Sequence, residues 1–303
     1  MIVRPRPSAL GLLFILRGSI VPMILPRIGA VLLISAAVVA WQRLAPAHFQ
    51  DLTLAPFTLL GLALSIFLGF RNNAAYERWW DGRKQWGQLL AETRSLVRDG
   101  VVLLPDDPGL RRRFAHRAVA FAHALRDQLR GVEGAGLRDW VPPAEWDAVA
   151  RRRSRPDAIL LAQAEELGRL HRRGDLGDNL YCMFSDRLHA MTAIQTACER
   201  LRSTPAPFTY TLLLHRTAWL FCLLLPFGLV STLGWATPVA TVILAYAFFG
   251  LDALGEELEQ PFSLAQNAVP LDALVRAIEI AVLDNLGEAV ELAPLEARDF
   301  VLL

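Results

Sequence analysis

Residues 52–87, LTLAPFTLLGLALSIFLGFRNNAAYERWWDGRKQWG, carry the clearest structural signal in the chain. Its first 19 residues, Leu52–Phe70, carry no charge and would span about 28 Å as a helix, which matches the hydrocarbon core of a bilayer. Arg71 then marks the water boundary. Beyond it, large apolar residues recur at helical spacing: Trp79, Trp86, Leu90 and Val97. One long helix is therefore predicted to leave a membrane and join a soluble domain.

The apolar part of this stretch carries two different stripes. Leu62, Ile66 and Phe70 are spaced by four residues and stack on one helix face. Small residues stack beside them at the same spacing: Gly61, Ser65 and Gly69. This pattern suits a ring of identical helices, in which small residues make the contacts and large ones form an apolar constriction at the axis. Periodicity alone favours the more ordinary interpretation, a lipid-facing or core stripe with a packing groove.

Three blocks of the sequence carry a family resemblance. They are residues 69–87 (GFRNNAAYERWWDGRKQWG), 199–230 (ERLRSTPAPFTYTLLLHRTAWLFCLLLPFGLV) and 256–274 (EELEQPFSLAQNAVPLDAL). Together they resemble bestrophin-type ion channels in their bacterial form. The resemblance implies an all-α membrane protein, a homopentamer around a central pore. Each subunit would contribute four transmembrane helices and a helical cytosolic domain. The implied pore neck is Leu62, Ile66 and Phe70.

Composition supports a membrane protein with a large soluble part. Hydrophobic residues make up 53% of the 303 residues and charged residues only 20%, and the mean hydropathy is +0.32. The net charge of +1 gives no overall field that would attract nucleic acid. The sequence has no HExxH, GxGxxG, P-loop or GxSxG motif. We therefore predict no enzyme activity, no catalytic residue, no cofactor and no metal site.

Charge and hydropathy predict the domains and the topology. We expect an N-terminal segment with transmembrane helices 1 and 2 (1–76), a cytosolic helical domain (77–207), transmembrane helices 3 and 4 (208–254), and a cytosolic C-terminal helix and tail (255–303). The N-terminus and the long region after the neck are both rich in Arg, so both are predicted to be cytoplasmic. We therefore expect a multi-pass protein of the bacterial inner membrane, with both termini in the cytoplasm and membrane lipid as a partner.

The limits of the individual helices follow from breaks in the pattern. The predicted membrane helices are Ile28–Trp41 extended by residues 21–26, Leu52–Phe70, Phe208–Val230 and Leu233–Leu251, and Ser231-Thr232 forms the turn between the last two. Amphipathic cytosolic runs are predicted at 77–103, 110–130, 144–172, 176–203 and 263–290.

Polar residues near the membrane need an explanation because ionisable groups at that depth are costly. Arg216 is predicted to form a structural ion pair, with Glu77 or Asp252, in preference to an ion-binding role. Asn72 and Asn73 follow the neck and would either hydrate ions at its exit or bridge between helices; the sequence favours neither. His116 and His123 are seven residues apart and could hold a metal with an acid from another helix, but a surface pair is favoured.

The ion carried is predicted mainly from the resemblance. Pro261-Phe262 is followed by residues 263–267, SLAQN, without the acidic cluster of calcium-activated relatives, so calcium activation is not expected. Similarity to cation-conducting bacterial members favours monovalent cations, Na⁺ and K⁺. A chloride or anion channel is the alternative, and a transporter or sensor is a more distant one. A second, cytosolic constriction is implied, for which Leu180 is the candidate.

Overall fold

The computed structural model describes residues 1–5, 8–13, 15–16, 18–46, 53–134 and 136–303. Residues 47–52, which include the first residue of the predicted second membrane helix, lie outside the described residues. The described residues form helices joined by turns and irregular segments, and their β-structure is limited to isolated bridges. In chain order its helices are α1 (Ala9–Leu13), α2 (Val21–Leu44), α3 (Ala55–Leu103), α4 (Pro108–Arg130), α5 (Leu137–Trp140), α6 (Trp146–Ala150), α7 (Arg155–Arg173), α8 (Asp178–Ser203), α9 (Phe208–Leu233), α10 (Thr237–Glu259) and α11 (Leu271–Leu286).

The helices form two compact units. The apolar unit consists of residues 4–79 and 205–260, and the charged unit of residues 1–3, 80–204 and 261–303. These limits lie close to the predicted domain limits, but the apolar unit keeps the whole of α10, which the sequence had divided at residue 254. The helix ends at Glu259, because Gln260 precedes Pro261 and the residue before a proline disfavours helical conformation.

Three stretches of the described chain, which lie wholly or in their first part in the apolar unit, are long and apolar enough to cross a membrane. They are Val21–Leu44, Ala55–Leu103 and Phe208–Glu259, the last of which contains both α9 and α10. α10 packs against α2 and α9, and α2 also packs against α9. Leu64 and Leu68 of α3 join this core and pack among side chains such as Phe221 and Phe249.

Two predicted limits in the apolar unit are wrong. α2 begins at Val21 and contains Pro26, as in the extended prediction, but it ends at Leu44 and not at Trp41; a proline inside a helix removes a single backbone donor, a loss that neighbouring helices in a bundle tolerate. α9 continues through Ser231-Thr232, where the Thr232 hydroxyl donates to the carbonyl of Leu229 at 2.9 Å. The turn comes at Gly234 instead, whose φ of +51° is available to glycine at little cost.

The charged unit is built around α4. Asp107 caps this helix, since its carboxylate accepts hydrogen bonds from the backbone N–H groups of Gly109 and Leu110 at 2.9 and 3.1 Å. α4 packs against α7, α11, α5 and α8. Phe114 of α4 and Phe184 of α8 are fully buried and meet edge to face, with ring centroids 5.6 Å apart. This unit therefore has an apolar core of its own.

Prolines explain where the charged unit differs from the predicted runs. The run at 144–172 is divided into α6 and α7, and Pro156 occupies the first turn of α7, the position that proline favours. The tail helix begins only at Leu271, after Pro270, and ends at Gly287 with a φ of +70°. Residues 263–270 form turns instead of the predicted first part of that helix.

Candidate functional site

The predicted neck residues form an exposed apolar stripe on α3. Leu62, Ile66 and Phe70 have 60%, 49% and 65% of their surface accessible in the single chain. Leu64 and Leu68, by contrast, are fully buried in the core of the apolar unit. Residues two apart on a helix are separated by about 200°, so the stripe and the core side of α3 lie nearly opposite each other. Large apolar side chains so exposed require a covering surface or a dry lumen.

The stripe of small residues beside the neck is only partly covered. A Cβ atom added at Gly61 would lie 3.1 Å from the ring of Phe221, so α9 approaches α3 closely there. The Ser65 hydroxyl donates to the carbonyl of Gly61 at 2.8 Å and is exposed. A Cβ at Gly69 would meet no atom within 4 Å. The surface at Ser65 and Gly69 is therefore open in one chain.

The two asparagines after the neck point in different directions. Asn73 is exposed, and its Nδ2 donates to Oε1 of Glu77 at 3.1 Å. The amide of Asn72 is buried, and neither its oxygen nor its nitrogen has a hydrogen-bond partner. Asn72 lies against α10, where a Cβ on Gly255 would come 2.5 Å from Asn72 Oδ1. Of the two, only Asn73 thus lies on the side of α3 that bears the predicted neck residues.

Glu77 is a further candidate site residue. From the sequence it was considered only as an ion-pair partner of Arg216. It follows Phe70 and Asn73 at steps of three and four residues, so it continues the neck face of α3. Its side chain is exposed and forms no ion pair among the described residues, with Asn73 as its hydrogen-bond partner. The signal that could have found it is the extension of the stripe by the same spacing beyond the apolar part.

The ion pair predicted for Arg216 does not form within the single chain. Arg216 is exposed and has no ion pair among the described residues. Asp252 is instead paired with Arg71, Arg27 and His215, at 2.6, 3.2 and 2.8 Å. Neighbouring residues on a helix point about 100° apart, and His215, not Arg216, lies on the side of α9 that meets α10. The sequence indicates an acidic residue close to Arg216 along the membrane helices, but it does not give the direction in which each side chain points.

Leu180 lies in the first turn of α8 and is partly exposed. Its predicted place at a second constriction depends on neighbouring subunits and stays a prediction.

The two histidines of α4 are not a surface pair, in contrast to the favoured prediction. His123 is buried, and its Nε2 lies 2.7 Å from Oε1 of Glu279 on α11. The ring of His116 meets Trp140 edge-on, with centroids 4.9 Å apart. Burial, and then the charge of Arg112, lower the pKa of His116 below its usual value. Among the described residues no three His, Cys, Asp or Glu side chains converge as a metal site.

A cavity of about 510 Å³ lies beside these histidines in the charged unit. Its charged lining residues largely pair with one another, as in Arg112 with Glu288 at 2.9 Å and Arg276 with Glu279 at 2.7 Å.

Comparison with known proteins gives the family of the chain. The family model described as bacterial/fungal bestrophin protein matches residues 1–284. The chain belongs to the bestrophin family. The chain is a membrane protein, as its apolar helices and its family indicate. It is a bestrophin-family ion channel and not an enzyme.

Similar proteins are found among curated proteins and solved structures. A voltage-dependent anion channel-forming protein of Mesorhizobium japonicum is 47% identical over 289 residues, covering 95% of this chain and 93% of that protein. The protein of the same description from Escherichia coli strain K12 is 43% identical over 293 residues, 95% of each chain. The crystal structure of a bacterial bestrophin homologue from Klebsiella pneumoniae has a TM-score of 0.83 and 39% identity, covering 88% of this bestrophin and 99% of that chain.

Proposed function

We propose that this bestrophin forms a homopentamer around a central pore whose neck is made of Leu62, Ile66 and Phe70 from each subunit. The observation that carries the proposal is the exposure of these three side chains on the side of α3 opposite the buried Leu64 and Leu68. A ring of α3 helices would cover the stripe on itself. Ser65 and Gly69, which are open in one chain, would let neighbouring α3 helices approach closely.

The chemistry of the neck suits a gate controlled by water. An apolar ring offers no hydrogen bonds to an ion or its hydration shell, so a narrow neck empties of water and stops conduction, and a slightly wider one fills and conducts. Asn73 follows as the first polar group on the same face and would rehydrate ions that leave the neck. Leu180 would line a second constriction in the cytosol.

Monovalent cations, Na⁺ and K⁺, are the proposed permeant ions. Glu77 supports this choice, because one carboxylate from each subunit, exposed and without an ion pair among the described residues, would form a negative ring just beyond the neck. Rings of acidic side chains favour cations in channels. Calcium activation is not proposed, since the turn after Phe262 carries Ser263, Gln266 and Asn267 in place of acids.

An anion channel is the second candidate. The observation that favours it is the description of relatives at 43–47% identity as voltage-dependent anion channel-forming proteins.

The proposed topology has four crossings, by α2, the apolar part of α3, α9 and α10. Both termini and the charged unit would lie in the cytoplasm of a bacterium, with the apolar unit in its inner membrane. The Arg-rich sequence of residues 71–207 supports this orientation.

The deciding experiment is the reversal potential of the purified protein in planar bilayers under a KCl gradient. The oligomer is first sized against the chain mass of 33.6 kDa, for which a pentamer is expected. A reversal potential near the potassium equilibrium value is expected. A value near the chloride equilibrium potential would select the anion channel. Absence of current from an intact oligomer would overturn the channel and favour a transporter or a sensor.

A further inference from the structure

One carboxylate joins all of the long helices of the apolar unit. Oδ1 of Asp252 on α10 accepts from Nη1 of Arg71 on α3 at 2.6 Å. Oδ2 accepts from Nη1 of Arg27 on α2 at 3.2 Å and lies 2.8 Å from Nδ1 of His215 on α9. A second acid, Glu259, lies 3.8 Å from Nη2 of Arg71. Two guanidinium groups therefore face two carboxylates, with a histidine beside them.

The cluster is buried at its centre. The side chains of Arg71 and Asp252 are each only 3% exposed. A charge taken out of water in this way is stable only when its partner is held in good geometry, so the cluster resists rotation of either helix. Arg71 follows Phe70 directly in the chain. A buried and ion-paired residue of α3 is thus next to the last residue of the proposed neck.

A second contact fixes the same turn of α3 to α10. Gly255 lies where a Cβ atom would come 2.5 Å from Asn72 Oδ1 and 3.5 Å from Arg71 Cζ. Only glycine allows α10 to approach these side chains so closely. Both residues after the neck, Arg71 and Asn72, therefore face α10, while the neck itself faces away.

We infer that Asp252 is a positioning residue for the neck, which sets the rotation of α3 so that Leu62, Ile66 and Phe70 point to the pore axis. Nothing in the cluster touches the permeating ion; Asp252 acts through Arg71. This inference rests on the proposed neck. Loosening the cluster moves bulky side chains away from the axis and raises the flux through each pore, while the number of pores depends on assembly alone.

The test is a double-mutant cycle on single-channel conductance, with Asp252→Asn, Ile66→Ala and the combination of both. Each variant is measured only in oligomers that elute like the wild type. Asp252→Asn is expected to raise the conductance several-fold, and to raise it much less when Ile66 is already alanine, because both changes act on the same ring. Asp252→Glu keeps the charge and is expected to restore most of the wild-type conductance.

Two further variants keep the test decisive. Ser35→Ala removes a buried contact between α2 and α10, in which Ser35 Oγ lies 3.5 Å from Thr241 Oγ1; it does not touch α3 and is expected to leave the conductance unchanged. Gly255→Ala presses on Arg71 and Asn72 but leaves every charge in place. If Asp252→Asn fails to assemble, Gly255→Ala is measured in its place and is expected to raise the conductance several-fold.

The outcomes separate the inference from the proposed neck. Wild-type conductance in intact Asp252→Asn or Gly255→Ala oligomers, with Ile66→Ala still raising the flux, overturns the positioning role and leaves the neck standing. Effects of Asp252→Asn and Ile66→Ala that multiply independently also overturn it. No effect of Ile66→Ala overturns the neck, and the inference with it.

Discussion

Ile66 and Leu68 lie two residues apart on α3 and face opposite environments. Leu68 has none of its surface exposed, whereas Ile66 has 49%. Leu68 packs in the core of the apolar unit, so the two side chains have separable roles: Leu68 fills the core, and Ile66 is available to the pore. This separation makes the neck testable by matched substitutions of similar size.

Replacing Ile66 by alanine is expected to raise single-channel conductance several-fold, because it removes bulk from the middle ring of the proposed neck. Planar-bilayer recordings of the purified oligomer measure this. Leu68→Ala is the matched control: it should lower stability by about 2–5 kcal/mol through a core cavity, seen as a lower melting temperature in detergent, and should not raise the conductance. A larger flux from Leu68→Ala than from Ile66→Ala would contradict the assignment of the neck.

Replacing Glu77 by glutamine is expected to weaken the preference for potassium over chloride. The change removes one negative charge per subunit just beyond the neck while keeping the shape and the contact with Asn73. Under a KCl gradient the reversal potential should move from the potassium value toward zero. Asp284→Asn, which removes the same charge from an exposed position on α11, should leave it in place. An equal shift in both variants would mean that overall charge, not the ring, sets the selectivity.

Acidification is expected to destabilise the charged unit through His116. Burial lowers the pKa of His116 in the folded protein, so the unfolded chain binds the proton more readily, and stability falls as the pH drops below about 6.5. The effect is measured as the melting temperatures of the wild type and of His116→Gln between neutral and mildly acidic pH. On acidification the melting temperature of His116→Gln should fall less than that of the wild type. His189→Gln, at an exposed position on α8, is the control and should follow the wild type. Identical pH profiles for His116→Gln and the wild type would count against this role.

The cysteines of α8 should differ sharply in reactivity. Burial, with the charges of Asp81 and Glu199, raises the pKa of the Cys198 thiol to about 12, whereas Cys182 is exposed. Because thiolate is the reactive form, a maleimide near neutral pH should label Cys182 and leave Cys198 until the protein is denatured. Peptide mass spectrometry identifies the labelled site, and Cys182→Ser should remove it. Labelling of Cys198 in the folded protein would show that this part of α8 opens.

The sequence predicted α3 well because two independent signals agree there. An uncharged stretch long enough for a bilayer leads directly into a helical apolar stripe, and no proline or glycine pair interrupts it. Similar reasoning placed Leu62, Ile66 and Phe70 on one face, which the exposed stripe matches in position.

The partners of charged residues could not be predicted in the same way. Asp252 was considered as a partner for Arg216, yet the structure brings it Arg71, Arg27 and His215. Such pairs depend on the rotation of each helix about its own axis, which is set by packing and not by local sequence. The turn between α9 and α10 was misplaced for a related reason: Ser and Thr tolerate a helix in an apolar setting by donating to a preceding carbonyl, as Thr232 does.

The unbroken course of α3 past the neck has a consequence for how this protein can vary. Phe70 and Glu77 are seven residues apart, two turns less about 20°, so they share a face only while the number of residues between them is kept. One inserted residue would turn Glu77 by about 100° and shift it by about 1.5 Å, whereas many substitutions would leave it in phase. In this segment the number of residues is therefore more tightly constrained than their identity.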